Sequence, residues 1–460
     1  MQLSSPVYFV FLAALFFLYW PLAQRRRLSL GILLFANYFF LARWDLIYLL
    51  IIPLASGIDH VLGCGLHRAQ SPVLRRMLVL TSLILNLGLI ASAKYLPFFG
   101  SLLAGGPRWQ WTLPVGLSFY AFQSLTYTLD LYRRDIQPAR SLLSHLTAVS
   151  FFPTLLAGPI TRAANLIRQL EAPARLLSNE QGGRALFLIG TGLAKKFLIA
   201  DFLAEALINR VFDTPGLYSG TETLLAVYGY AVQLYYDFSG YSDIAIGSGL
   251  LVGLQLPPNF QRPYQAASIA DFWRRWHISL SNWLRDYLYF SLPGHRTRVM
   301  PYVNLVITML LGGLWHGPSW TFVLWGLWHG LGLAGFRLWQ ALTSNRPSTG
   351  LARVAAVFLT LHFVCAGWIL FRATSLENAA EVAARIASGT VSFANVSGGY
   401  LLVLGIGAVI HFLPRRWYEF SLDWYSRSPF YVQAAGLALL AVALQYLSAT
   451  GSTPFIYNRF

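Results

Sequence analysis

Charge is what this chain has least of. Only 11% of its 460 residues are Asp, Glu, Lys or Arg, against about 25% in an average soluble domain, so water is not its main solvent. Acidic residues are the scarcer sign: 18 carboxylates face 34 Lys and Arg, a formal net charge of +16. Cysteine is nearly absent. Cys64 and Cys365 lie inside apolar stretches, with no metal-ligand spacing and no disulfide framework, so redox compartment is not readable from them. The chain also lacks a Gly-x-Ser-x-Gly elbow, a phosphate-binding loop and a His-Glu-x-x-His pair. Those absences set aside hydrolase-elbow, P-loop and zinc-protease chemistry, and no metal site is expected. The positive residues fall in short clusters between apolar runs, as in the cytoplasmic loops of membrane proteins. A nucleic-acid module needs a soluble basic face instead. The expected partner is therefore a lipid bilayer, and no nucleic acid.

What is present is apolar sequence, 56% of the chain. A helix crosses a bilayer with about 20 mainly apolar residues. Pro6 to Gln24 is one such run, closed by Arg25-Arg26-Arg27. The positive charge follows the run instead of preceding it, which reads as a retained anchor with its N-terminus outside. Leu28 to Ala42, Leu46 to Ile58, Met77 to Ala93 and Trp109 to Leu129 follow. Alternation then puts the Arg-containing stretches His67 to Arg76 and Arg133 to Arg140 in the cytoplasm, as the positive-inside rule requires. Ser141 to Thr161 is long enough to span but contains Phe152-Pro153 and Gly158-Pro159. Such breaks survive at membrane depth only inside protein or against a wet cavity, so the stretch is a kinked span or a re-entrant element.

Arg184 to Ile208 and Glu222 to Leu256 are further expected spans, the second carrying Asp237 and Asp243. Carboxylates at that depth require partners or a polar cavity. Segment 257–300 holds Arg262, Arg274, Arg275, Arg285, Arg296 and Arg298 against Asp271 and Asp286, and is expected on the cytoplasmic side. In it Ile269, Phe272, Trp273, Trp276, Leu280, Trp283, Leu284, Tyr287 and Leu288 recur at helical spacing among arginines, the pattern of a helix lying in the interface. Val299 to Phe336 has no charged residue and is interrupted by Gly317-Pro318, which predicts two helices meeting at a break within the 301–341 segment. Val354 to Phe371, part of Ile386 to Pro414, and Ser428 to Leu447 complete an all-α polytopic membrane protein of about ten or eleven crossings plus broken elements. It reads as one transmembrane domain over 1–460, since no linker or soluble domain is visible. Leu314-Trp315-His316-Gly317 is echoed by Leu327-Trp328-His329-Gly330, too short an echo for a structural repeat.

Nine histidines are the chemistry-bearing candidates. His60, His67, His145, His362 and His411 stand among undistinguished neighbours and read as packed or interfacial side chains, which leaves His277, His295, His316 and His329; His295 lies in a basic loop and reads as solvated. His316 sits in Gly312-Gly313-Leu314-Trp315-His316-Gly317-Pro318-Ser319-Trp320, at the break of the charge-free segment. Glycines allow close backbone approach there, and an imidazole takes a proton from a hydroxyl or thiol near neutral pH. A structural, hydrogen-bonded histidine is the competing reading. His277 follows Phe272-Trp273-Arg274-Arg275-Trp276. That cluster is either a headgroup-level aromatic and basic belt or, through Arg274, Arg275 and Arg285, a grip on the phosphates of a cytosolic cofactor.

Phe272-Trp273-Arg274-Arg275-Trp276-His277-Ile278-Ser279-Leu280-Ser281-Asn282-Trp283-Leu284-Arg285-Asp286-Tyr287 resembles the signature of bacterial membrane-bound O-acyltransferases. Gly313-Leu314-Trp315-His316-Gly317 is similar to that family's invariant-histidine motif. Pro114-Val115-Gly116-Leu117-Ser118-Phe119-Tyr120, Ala157-Gly158-Pro159-Ile160 and the Asp237-to-Asp243 stretch match in order, and Pro454-Phe455-Ile456-Tyr457 resembles the ending of alginate-type members. One departure is Pro293-Gly294-His295-Arg296, where members carry a Gly-Gly-Asn-Arg-like turn; it bears on loop contacts and subtype.

The resemblance implies a helical ring with a central funnel, with His316 as the catalytic histidine at its base and His277 as the second motif histidine on the cytosolic side. It implies acyl transfer from a cytosolic thioester, acetyl-CoA for alginate-type members, to a hydroxyl. No cofactor is bound; the thioester is a donor substrate. A periplasmic or membrane-tethered acetyltransferase partner and a polysaccharide acceptor are expected, with the protein multi-pass in a bacterial inner membrane. Transfer to peptidoglycan, cellulose or a teichoic acid, including D-alanyl transfer, is the alternative within the family. A transporter or export scaffold using Asp237 and Asp243 is the alternative outside it.

Overall fold

Serine, twice followed by proline, marks where several helices begin. Ser5 accepts a hydrogen bond from the Tyr8 amide ahead of the Pro6–Tyr19 helix, and Ser71 accepts one from Leu74 ahead of Pro72–Ile90. The hydroxyl serves an amide the helix leaves unpaired, and proline at the first position has no amide to lose. Ser141, Ser319, Ser375 and Ser397 cap four further helices in the same way. The computed structural model describes residues 1–95, 116–173, 176–343 and 349–447, and among these every regular element is helical. The motif residues 114–115 and 454–457 lie outside the described residues.

Three described helices are long and apolar enough to cross a bilayer unaided: Tyr48–Arg68, Pro72–Ile90 and Gly350–Arg372. Gly398–Phe412 and Arg415–Arg427 qualify only together, bent by 91°, at Leu413-Pro414, where proline stops the first helix. Other apolar runs are subdivided. The first becomes Pro6–Tyr19 plus a 3-10 turn at Trp20–Leu22. Arg184 to Ile208 becomes Asn179–Ala194 followed by π-turns at Lys195–Asp201 and Ala204–Ile208.

The chain forms two compact units, residues 1–189 with 241–257, and residues 190–240 with 258–460. In the first, the proline-containing stretch is broken as its sequence requires. Leu142–Val149 is helical, Phe152–Leu155 makes one turn, and Ala157 adopts a positive φ of 80°. Residues 147–161 are buried throughout, so the freed backbone groups need protein partners. Asn37 serves two of them: its Nδ2 donates to the Thr147 carbonyl (3.1 Å) and its Oδ1 accepts from the Phe152 amide (3.1 Å), while Nδ2 also donates to Ser150 Oγ (3.3 Å). Gln123 donates to the Ala148 carbonyl, and Thr126 accepts from the Ala163 amide.

Two more buried polar groups tie this unit together. Asp59 accepts from Ser82 Oγ (2.6 Å), Asn86 Nδ2 (2.8 Å) and Ser124 Oγ (2.6 Å), joining the Tyr48–Arg68, Pro72–Ile90 and Leu117–Arg133 helices. Arg75 donates to the carbonyls of Leu66, Leu131 (3.2 Å) and Tyr132 (2.6 Å). Those carbonyls end two helices, where unpaired acceptors and the helix dipole both favour a cation.

Candidate active site

In the second unit the charge-free segment folds as two helices, Met300–His316 and Trp320–Leu342, meeting at Gly317 to Ser319 as its sequence predicts. Their approach needs glycine. A Cβ on Gly313 would fall 2.3 Å from the Phe322 carbonyl oxygen, and one on Gly326 would fall 2.4 Å from that of Met309. Backbone therefore packs on backbone, and the motif glycines fix where the first helix ends. His316 is its last residue.

The His316 ring is 5% exposed and walled by aromatic rings. Trp315 lies 5.0 Å away, Trp325 5.1 Å away at 89°, Phe371 5.1 Å away at 78° and Phe322 6.2 Å away, centroid to centroid. Edge-to-face geometry directs the electropositive ring edge at an electron-rich face, and a protonated imidazole is favoured over such faces. The His316 imidazole is thus enclosed by aromatic rings on several sides.

His277 stands on a left-handed residue, φ 42°, between the short helices Ile269–Arg275 and Ile278–Trp283. Asn259 builds that turn. Its carbonyl accepts from the Ile278 amide (2.9 Å), and its Oδ1 accepts from Ser279 Oγ (2.5 Å). The imidazole is buried against Phe238, 4.6 Å away at 87°, and lies 6.3 Å from Trp315. Burial pushes it down to about 3, so at neutral pH it stands uncharged. Both motif histidines thus pack on the Trp315 indole, which the sequence did not foretell.

The expected interfacial helix is different in form. It is cut at Trp276-His277 into the two short helices, followed by a π-turn at Leu284–Leu288. Its apolar stripe faces protein: Phe272, Trp273, Trp276, Leu280, Leu284 and Tyr287 are all buried. Trp276 packs 4.9 Å from Trp368, and Trp273 lies 5.8 Å from Trp325. Of the arginines, Arg274 and Arg285 are exposed. Arg275 pairs with Asp271 (3.0 Å) and Arg285 with Asp286 (2.7 Å), so each already has a carboxylate partner.

Asp237 has the partner its depth demands. Lys196 Nζ lies 2.9 Å from Asp237 Oδ1 and 2.7 Å from Asp201 Oδ1, with all three side chains buried. The π-turn brings Lys196 and Asp201, five residues apart, to one face. Sequence reading missed Lys196; the available signal was a lysine inside an apolar run with an acid five positions on. His295 is half-buried and within 2.8 Å of the Tyr289 carbonyl, not solvated as expected. His362 contacts the Tyr228 hydroxyl (2.7 Å) and His411 accepts from the Tyr264 amide (3.2 Å), both structural roles. Among the described residues no cluster of His, Cys, Asp or Glu suits a metal ion.

Comparison with known proteins supplies what geometry does not. Residues 7–366 match the family model of the membrane-bound O-acyltransferase family. The chain is 38% identical over 424 residues to "Probable alginate O-acetylase AlgI" of Azotobacter vinelandii, covering 89% of this chain and 83% of that protein. It is 35% identical to the Pseudomonas putida protein of the same name over 496 aligned residues, covering 100% of both. It is also 34% identical over 383 residues to the peptidoglycan O-acetyltransferase of Helicobacter pylori, covering 76% of this chain and 72% of that one.

Proposed function

The chain belongs to the membrane-bound O-acyltransferase family and is an O-acyltransferase, and from that premise we propose that it moves an acetyl group from a cytosolic thioester across a bacterial inner membrane to a hydroxyl of an exported polysaccharide such as alginate. The observation that carries the reading is His316 at the end of its helix, ringed by aromatic faces and sharing Trp315 with His277. His316 removes the proton from the acceptor hydroxyl as its oxygen attacks the thioester carbonyl carbon. The thiolate then leaves and takes that proton back. A positioned base of this kind contributes about 100- to 10,000-fold in rate. His277, neutral and buried, orients the donor end of the site. Exposed Arg274 draws in the phosphates of acetyl-CoA or another acyl thioester, with Arg275 and Arg285 adding to the basic field in spite of their carboxylate partners. A periplasmic or membrane-tethered acetyltransferase partner completes transfer to the polymer.

The test is turnover of radiolabelled acetyl-CoA by the full-length protein in lipid nanodiscs. His316→Ala is expected to lose about 100- to 10,000-fold in rate while remaining folded; wild-type turnover in that variant would overturn the assignment. Acetylation of peptidoglycan rather than alginate is the second reading, supported by the Helicobacter pylori relative; acetyl analysis of both polymers in a deletion strain separates them. Turnover by the purified protein would also dismiss a transporter without chemistry.

A further inference from the structure

Buried polar atoms are paired in about nine cases of ten, and a group of exceptions adjoins the proposed base. His329 is fully buried, and neither its Nδ1 nor its Nε2 has a hydrogen-bond partner among the described residues. The same holds for the indole Nε1 atoms of Trp273 and Trp325, 8% and 1% exposed. These three rings form one cluster: Trp273 to His329 is 5.2 Å, Trp325 to His329 is 4.9 Å, and Trp273 to Trp325 is 5.8 Å. Trp325 also packs 5.1 Å from His316, so the cluster lies one indole away from the base. The remaining rings around His329 are Phe272, Phe363 and Trp368, with Gly367 so near that a Cβ there would fall 2.8 Å from Nε2. No charged side chain contributes to this set of rings. Stranding such donors in an apolar interior costs about 1–3 kcal/mol each, unless a ligand group uses them.

We propose that Trp273, Trp325 and His329 form the oxyanion site, which receives the carbonyl oxygen of the transferred acyl group. The chemistry of the donors selects this occupant. Two indoles offer only N–H groups and the imidazole offers one more. A thioester carbonyl needs donors and no counter-ion until negative charge develops on its oxygen. Neutral, preorganised donors in a buried, apolar surrounding favour that charged state over the ground state. The proposal rests on His316 being the base. As His316 takes the hydroxyl proton, the acceptor oxygen bonds to the carbonyl carbon, and the carbonyl π pair moves onto its oxygen, held by the three N–H groups. Collapse restores the C=O bond, breaks the C–S bond and releases the thiolate, which is reprotonated by His316.

The test uses the full-length protein in nanodiscs with acetyl-CoA as probe. Trp325→Phe and Trp273→Phe keep a ring and delete the N–H; His329→Leu deletes the imidazole, and His329→Gln restores a donor. Each lost donor is expected to lower kcat about 100- to 1,000-fold with KM nearly unchanged, and His329→Gln should exceed His329→Leu. If His329→Leu does not fold, the two Trp→Phe variants decide. Wild-type kcat in Trp325→Phe and Trp273→Phe, or a rise in KM at constant kcat, would overturn the oxyanion site. His316→Ala, assayed in parallel, keeps the two ideas apart. Turnover surviving in that variant defeats the base assignment, whereas its loss beside fully active Trp→Phe variants defeats only the oxyanion site.

Discussion

Adding a single methyl group at Gly313 tests whether backbone packing holds His316 in place. The Gly313→Ala Cβ would lie 2.3 Å from the Phe322 carbonyl oxygen, where 3.4 Å begins ordinary contact. The Met300–His316 and Trp320–Leu342 helices must then part by about 1 Å near the base, a displacement worth about 100-fold in rate. Overpacking of this kind costs about 1–3 kcal/mol, and alanine recovers about 1 kcal/mol over glycine in a helix. Net destabilisation is therefore small, while the lost activity corresponds to about 2.7 kcal/mol of barrier. Gly335→Ala is the control, because nothing lies within 4 Å of a Cβ there. Thioester turnover and thermal unfolding in nanodiscs should show Gly313→Ala folded and about 100-fold slow, with Gly335→Ala unaltered in rate. Equal rates in the two variants would refute the reasoning.

Three other substitutions probe the remaining framework. Asn37→Leu strands the Phe152 amide and the Thr147 carbonyl in the interior. At about 1–3 kcal/mol per group, its unfolding in mixed micelles should fall by about 2–6 kcal/mol, and an unchanged midpoint would contradict that accounting. Lys196→Met leaves two buried carboxylates without their cation and should cost about 3–5 kcal/mol; adding Asp201→Asn should recover part of it, and no recovery would show that the stranded carboxylates are not what destabilises the variant. Arg274→Ala should raise KM for acetyl-CoA severalfold at constant kcat, more strongly at low ionic strength; a change in kcat alone would exclude a role in drawing in the donor.

The glycine-flanked His316 was legible in the sequence because a charge-free segment broken at Gly317-Pro318 has few ways to fold. The broken stretch at Ser141 to Thr161 was equally legible, since two prolines six residues apart, the second preceded by glycine, leave little room for a regular helix, whereas the single Pro53 is carried inside Tyr48–Arg68. Asn37 was not: one amide in an apolar run carries no sign that a distant break needs it. Trp315 as the shared neighbour of His277 and His316 depends on the left-handed turn at His277, which a non-glycine residue rarely adopts and periodicity does not foresee. The same turn explains why an apolar stripe at helical spacing became two short helices facing protein rather than one facing lipid. His329 stood out in the sequence through its motif echo, but that echo gave no hint that its ring nitrogens would be left without partners among the described residues.

Arg75 has a mechanical consequence. One guanidinium holds carbonyls that terminate the Tyr48–Arg68 and Leu117–Arg133 helices from a third, Pro72–Ile90. A slide of any of the three by a single residue, about 1.5 Å along its axis, would break these bonds. These ends therefore keep a common level, since none of the three helices can slide without giving up a bond to that one guanidinium.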